Sequence, residues 1–403
     1  MRSGYHREPL TFDHLSLSVN CIMKTFHHHK FLPVILFFAL ISTAHAAVVQ
    51  GLYESEKVVP NQSGAARLEA MKSALVEVLA KISGRPDVGT APDIAAALEN
   101  PRDYIQQYRY QKIPENSYLS TEAVVGSQIL WLQFDERAVN KLLQKNNLPV
   151  WGRTRPATLI WLAVEQEGAK FMIGSNAQEE IRYALENEAR RRGIAMVLPL
   201  LDLEDQQKLT FADVWANNQE PIFQASMRYQ VDAILVGRMS VSGNNNWQGR
   251  WILYEGGQGL SWNSQGSYAN DLLNGGIVGT LEILGSRYAQ VYDANTAGSF
   301  DIAVTDIKSV DEFARVSNYL DSLEQVKSIY PTHIDKNSVT YRLDIRGNTK
   351  GLIQTIGLGN VLAAVSSPGE AGGASPMQGF ESGQQIEIRE TAPTTAHVYR
   401  LVP

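Results

Sequence analysis

The chain has 403 residues, 44% hydrophobic, 9% aromatic and 19% charged, which supplies apolar material for two or three packed domains and excludes fibrous, coiled-coil and low-complexity architectures. Its 36 basic and 42 acidic side chains leave a net charge of -6, so no bulk positive field draws it to nucleic acid. These totals single out no reaction.

Residues 23–46 read MKTFHHHKFLPVILFFALISTAHA. Lys24 and Lys30 flank a histidine run, an apolar stretch of eleven residues follows from Phe31 to Ile41, and Ala44-His45-Ala46 closes it. That is the plan of a secretory signal peptide, cut between Ala46 and Ala47. The apolar stretch is too short to span a bilayer, which takes about 20 residues, so the expectation is an export signal, no transmembrane anchor in the mature chain, and a periplasmic location. Translation is expected to start at Met23, with residues 1–22 outside the natural leader.

Cleavage leaves 357 residues with 32 basic and 40 acidic side chains, net charge -8, and removes the only cysteine, Cys21. No cysteine heads the mature chain, so nothing supports lipid anchoring there, and no disulfide can form. Six of the eight histidines also go, leaving His333 and His397. Cys-His nucleophiles, CxxC redox motifs and zinc sites with several His or Cys ligands are thereby unavailable. Neither remaining histidine has a serine elbow or an obvious orienting acid, and both read as structural or solvent-facing.

The expected fold class is α+β and α/β in three consecutive domains, after a leader at 1–46. The first domain, 47–150, runs from a strand at Val48 to Val59 into a helix whose Leu68, Met71, Leu75, Val78, Leu79 and Ile82 recur at helical spacing up to Gly84, followed by Pro86. A helix from Asp93 to Glu99, strands near Tyr118 to Val125 and Gln128 to Phe134, and a helix from Glu136 to Asn146 complete it.

The second domain, 151–298, starts with Thr158 to Val164 (TLIWLAV), an apolar run marking a strand buried on both faces. A helix from Ala177 to Arg192 ends in three arginines, which suit its C-terminal dipole. A short strand at Ile194 to Leu198, a helical stretch at Phe223 to Tyr229 and a strand at Val231 to Met239 follow. A hairpin comes next, turning at Gly256-Gly257 between Trp247 to Tyr254 and Gly259 to Gly266, and a helix from Asp271 to Tyr292 closes a mixed sheet with packed helices. The third domain, 299–403, has the order β-α-β-β-α-β from Asp301 to Ala364, the ferredoxin-like arrangement. A Gly/Ser/Pro-rich mobile loop is expected at 366–383, then strands at Gln385 to Arg389 and Ala396 to Val402.

Several residues invite a functional reading. Asp202, Glu204 and Asp205 follow a strand and would suit Mg²⁺, Ca²⁺ or acid–base work, but their plainer role is to cap the next helix. Asp232 in an apolar strand needs a partner, and Arg228 or Arg238 is expected to supply it. Trp247, Trp251 and Leu253 share one face of a strand, opposite Gln248 and Arg250. They would stack on a sugar if exposed, and core is the preferred reading. Trp151, Arg153 and Arg155 stand together in the linker, as an interaction site or as a lock between domains. Gly357 and Gly359 are only a fragment of a phosphate loop, and no GxxxxGK[ST] motif exists.

The runs Leu148 to Val164 (LPVWGRTRPATLIWLAV), Arg191 to Asp205 (RRGIAMVLPLLDLED) and Ala225 to Gly237 (ASMRYQVDAILVG), with Tyr53-Glu54-Ser55 and Gln107-Tyr108-Arg109-Tyr110, resemble a gammaproteobacterial family of exported proteins classed only as a domain of unknown function. The second domain is similar in strand order to TolB-type N-terminal regions and to lipoproteins that activate cell-wall synthases. The resemblance implies a docking module and carries over no catalytic residue. The reading is therefore a non-enzymatic binding or assembly module of the cell envelope, without cofactor or metal. Its partner is expected to be an envelope protein, or else peptidoglycan. The alternative is a carboxylate-based glycan or peptidoglycan hydrolase, which needs neither histidine nor cysteine.

Overall fold

The computed structural model describes residues 47–114, 126–176, 178–243, 246–291, 298–359, 361–365 and 397–402. The chain divides into Met1–Ser42 and Thr43–Pro403, and all that follows concerns the second unit.

The first core is built on a short strand β1 (Ala47–Val48), β2 (Glu54–Val59), a long helix α1 (Gly64–Ser83), α2 (Pro92–Glu99), β3 (Ile105–Lys112), β4 (Gln128–Phe134) and α3 (Glu136–Lys145). The Ser63 hydroxyl accepts the Ala66 N–H to start α1, and Gly84 ends it in the left-handed region at φ 68°. The antiparallel sheet β2-β4-β3 packs Leu130, Leu132 and Phe134 under α1. Residues 105–112, which include Tyr108 and Tyr110, form a strand between α2 and β4. The strand expected at 118–125 lies outside the described residues.

The central sheet begins with β5 (Thr154–Arg155), which pairs with β1, and continues with β6 (Ala157–Gln166), β7 (Ala169–Ile173), α4 (Glu179–Arg192), β8 (Ala195–Val197), α5 (Leu203–Lys208), α6 (Phe211–Ala216) and α7 (Gln219–Ser226). Next come β9 (Ala233–Ser242), β10 (Asn246–Glu255), β11 (Gln258–Gly266) and α8 (Ala269–Tyr288). Strand order is β11-β10-β9-β6-β7, with β8 parallel to β6. β6 is buried from Ala157 to Val164. Ile160, Leu162 and Val164 face α4 and α8, while Leu159, Trp161 and Ala163 face the small helices α5–α7. Two covered faces explain an uninterrupted apolar run.

The last sheet uses β12 (Gly298–Thr305), α9 (Val310–Asp321), β13 (Val326–Ile334), β14 (Ser338–Ile345), α10 (Thr349–Leu358), β15 (Leu362–Ala364) and β16 (His397–Leu401). The β-α-β-β-α-β order is present, but the sheet reads β13-β14-β12-β16-β15. In a ferredoxin-like sheet the last strand of that order lies directly beside the first. Here β16 takes that place, parallel to β12, and β15 is displaced one strand outward. Tyr399 and Leu401 of β16 point into the core alongside Ile302 and Val304, which anchors the inserted strand. The expected loop 366–383 and strand 385–389 lie outside the described residues.

Candidate functional site

The segment after α3 ties the elements together. The Trp151 N–H donates to the Ile82 carbonyl at the end of α1, and Val150 bridges to Gln290 just beyond α8. The Trp151 ring is stacked on Tyr288, 6.3 Å between centroids. Arg155 is fully buried, and its guanidinium donates to four carbonyls: Lys81 at 2.7 Å, Gly193 at 2.9 Å, Gly152 at 3.0 Å and Trp151 at 3.1 Å. Lys81 and Gly193 mark the C-terminal ends of α1 and α4. Those ends carry unsatisfied carbonyls and partial negative charge, so one cation serves both. Burial pulls the Arg155 pKa down to about 9, which still leaves it charged at neutral pH. At Gly84 a Cβ would fall 2.6 Å from the Gly285 backbone, so the ends of α1 and α8 meet through two glycines.

Held this way, α1 and β2 on one side and α4 with the start of α8 on the other enclose a cleft of about 580 Å³. At its base the buried Glu77 carboxylate accepts hydrogen bonds from Ser55 (2.8 Å), Lys57 (2.6 Å) and Arg191 (3.1 Å). Burial pushes the Glu77 carboxyl up, but Lys57, Lys81 and Arg191 outweigh it and hold it below the usual range. Lys81 donates to the Glu54 carbonyl, and burial pulls its pKa down to about 8 against the attraction of Glu77. Glu188 is held by Arg191 and Arg192, Arg192 also reaches Asn274, and Glu54 takes the Trp131 indole N–H at 3.2 Å. Asp271 caps α8 by accepting the Ser267 and Tyr268 N–H groups. Asn270, Asn274 and Arg190 line the mouth and are exposed.

A second groove, about 490 Å³, runs on the other face of the central sheet. Asp232, Arg250, Tyr254 and Glu255 line it, and Phe223 of α7 meets Tyr254 edge to face.

Of the residues singled out from sequence, Trp151 and Arg155 are interior and knit the linker. Arg153 is exposed, paired with Glu136 at 2.5 Å and lying 5.7 Å from the Tyr53 ring centre. Asp202 caps α5, accepting the Asp205 N–H, and Arg228 binds it at 2.7 Å, which drops its pKa to about 2. The same Arg228 reaches Asp205 and Glu204. Buried Asp205 also accepts the Tyr229 hydroxyl and the Leu201 N–H. Arg228 is therefore not the partner of Asp232, and Arg238 donates instead to the Trp215 carbonyl. Asp232 sits in the bend before β9 and accepts the Ala157 N–H at 2.8 Å, so a backbone donor replaces the expected arginine. Trp247, Trp251 and Leu253 are buried under α8, while Gln248 and Arg250 are exposed on the opposite face. His333 is exposed 3.2 Å from Asp335, and His397 is exposed with its ring against Phe300. Gly357 and Gly359 end α10, where the Tyr319 ring crowds Gly359. Among the described residues no cluster of three His, Cys, Asp or Glu side chains fits a metal, and no helix is long and apolar enough to cross a membrane.

The site these elements define is a polar cleft in a mixed α/β protein, framed by three antiparallel or mixed sheets with helices packed on them. Residues 46–152, which contribute β2, α1 and the start of the linker, match a family described as "Domain of unknown function (DUF8605)". No curated protein matches the chain.

Proposed function

We propose that the chain is exported, is trimmed at Ala46–Ala47, and works in the periplasm as a non-enzymatic binding module of the cell envelope, with the 580 Å³ cleft as its recognition site. The observation that carries this reading is the state of the cleft's carboxylates. Four of the five carboxylates that line it, Glu54, Glu77, Glu188 and Asp271, already accept hydrogen bonds from neighbouring protein donors, and the fifth, Glu56, is exposed. Glu77, the deepest, is held below the usual range, the opposite of what a general acid needs. Such a lining presents a fixed pattern of donors and acceptors, with exposed Asn270, Asn274 and Arg190 at its mouth, and suits a polar partner surface or glycan. Export is supported by the charge and hydropathy pattern of residues 23–46 and by a family match that begins at residue 46.

The hydrolase reading has one observation in its favour. Asp232 and Glu255 line the same groove, and partial burial pushes the Asp232 carboxyl up. Glu255, however, is engaged by Arg287 and by the Tyr288 hydroxyl.

Four measurements test the proposal together. N-terminal sequencing of the protein recovered by osmotic shock should start at Ala47. Sedimentation with purified sacculi, and crosslinking to a defined envelope partner, should weaken in an Arg190→Glu, Asn274→Ala variant. Peptidoglycan zymography should show no lysis. Recovery in the cytosol with the leader attached overturns the export reading, and lysis abolished by Asp232→Asn overturns the binding reading in favour of the hydrolase.

A further inference from the structure

Small helices α5–α7 cover only part of their face of the central sheet and leave the β10–β11 hairpin open. On that face Arg238 of β9 and Arg250 of β10 stand directly opposite one another in antiparallel register, and Asn263 of β11 stands opposite Arg250 on its other side. Directly opposed side chains on antiparallel strands have Cβ atoms about 5 Å apart, and like charges there repel. Among the described residues the Arg238 side chain has one hydrogen bond, to the Trp215 carbonyl at 3.0 Å, with its guanidinium 5.8 Å from the Trp215 ring centre. Arg250 is exposed and has neither a hydrogen bond nor an ion pair among the described residues. Both arginines line a pocket of about 140 Å³ walled by Trp215, Asn217 and Val236, and no carboxylate lines it. The pocket shares Arg250 and Ile252 with the 490 Å³ groove, whose Asp232 and Glu255 lie at the other end of the strands.

We propose that Arg238 and Arg250 form an oxyanion subsite that takes a phosphate or carboxylate group. Elsewhere in the fold clustered charges are met by opposite charges, as Asp202, Glu204 and Asp205 are by Arg228 and Lys208. This pair is not, although the acids Asp232 and Glu255 are in the same groove. Two guanidinium groups converging on one small pocket supply forked donors matched to an oxyanion. An oxyanion also removes the repulsion that the sheet otherwise carries. The inference is independent of the cleft between α1 and α4, which lies on the other face of the central sheet.

The test is thermal unfolding and calorimetric titration of the protein at constant ionic strength, with chloride as the reference anion. Inorganic phosphate, acetate and phosphatidylglycerol vesicles serve as separate probes. Phosphate or acetate should raise the unfolding midpoint, and whichever binds identifies the group. Binding to vesicles but to neither free anion places the group on a lipid. Arg250→Gln should weaken binding about tenfold or more, as expected for loss of a charged hydrogen bond, while melting at or above the wild-type temperature without anion, since one of two repelling charges is gone. Arg250→Lys should recover part of the binding. An unaltered anion response in Arg250→Gln, or no response of the wild type to any of the three probes, overturns the proposal.

Discussion

Glu324 lies in the turn between α9 and β13, and both its carboxylate oxygens are shut from solvent without a hydrogen-bond partner. It packs on the linker so closely that a Cβ on Gly152 would fall 3.1 Å from its Oε2. The enclosed space beside it, about 80 Å³, is lined also by Glu136, Trp151, Arg153, Tyr288 and Thr355. Burial and the negative charge of Glu136 push the Glu324 pKa up to about 7, and Arg155, Arg153 and Arg346 only partly offset them. A rise from 4.5 to about 7 is worth about 3 kcal/mol in the difference between its two protonation states. The folded chain holds this proton more tightly than the unfolded one. The stability it contributes is thus fully present below about pH 4.5 and is lost as pH rises through about 7. Glu324→Gln keeps the shape and removes the titration. In urea unfolding followed by tryptophan fluorescence, the variant should match the wild type at pH 4.5 and exceed it by about 2–3 kcal/mol at pH 8. Lys81 and Arg155, both pulled down by burial, act in the opposite sense, adding stability as pH rises above about 8, so the window from 4.5 to 8 isolates Glu324. A variant no more stable than wild type at pH 8, or a gap of equal size at both pH values, refutes the reasoning.

Three further changes probe the cleft and its supports. Glu77→Gln strips the charge facing Lys57, Lys81 and Arg191 and should cost about 3 kcal/mol, because it leaves buried Lys81 and largely buried Lys57 without their counter-charge; adding Lys57→Met should restore part of that loss in the same urea assay. Gly84→Ala meets both a positive φ and the Gly285 backbone and should lower stability by more than about 1 kcal/mol, the scale of the strain term alone, read as a lowered melting temperature. Arg155→Met orphans the Lys81 and Gly193 carbonyls at about 1–3 kcal/mol each, and should show as faster proteolysis within the linker.

Much of the secondary structure was legible because periodicity reports burial. The α1 stripe, the apolar β6 run and the Gly256-Gly257 hairpin each carry one dominant local signal, and each is present. Strand β7 carried none, and helices α5 and α6 carried cap signals alone, Asp202 and the Thr210/Asp213 capping box. β7 is five residues at a sheet edge with an exposed start, and α5 and α6 are six residues each, too short for a helical period to register. The place of β16 between β12 and β15 is a long-range pairing that local pattern cannot encode. The cleft left one trace that went unread: Glu77 and Lys81 sit four residues apart inside the α1 segment whose neighbours Val78, Leu79, Ala80 and Ile82 are all buried. Charges with that spacing in an apolar helical stretch mark a buried polar network. Asp232 misled for the opposite reason. The apolar run after it belongs to a strand that starts one residue later, so the aspartate lies in the bend before it, bonded to the Ala157 N–H.

The linker and the cleft are mechanically one device. The walls of the cleft are α1 and α4, and the Arg155 guanidinium bonds the C-terminal carbonyls of both. Glu324 is the opposite charge that acts most strongly on that guanidinium and packs on the same turn of the linker. Ionising Glu324 places a second charge in the interior beside a cation whose hydrogen bonds are already committed to carbonyls. The new charge must be met by water entering the 80 Å³ space or by a shift of the linker, and a linker shift moves one wall of the cleft against the other. A ligand that binds the cleft in the protonated geometry should therefore lose affinity as pH rises from 6 to 8 in the wild type and keep it in Glu324→Gln. A pH profile identical in the two proteins would separate the cleft from the linker and leave Glu324 with an effect on stability alone.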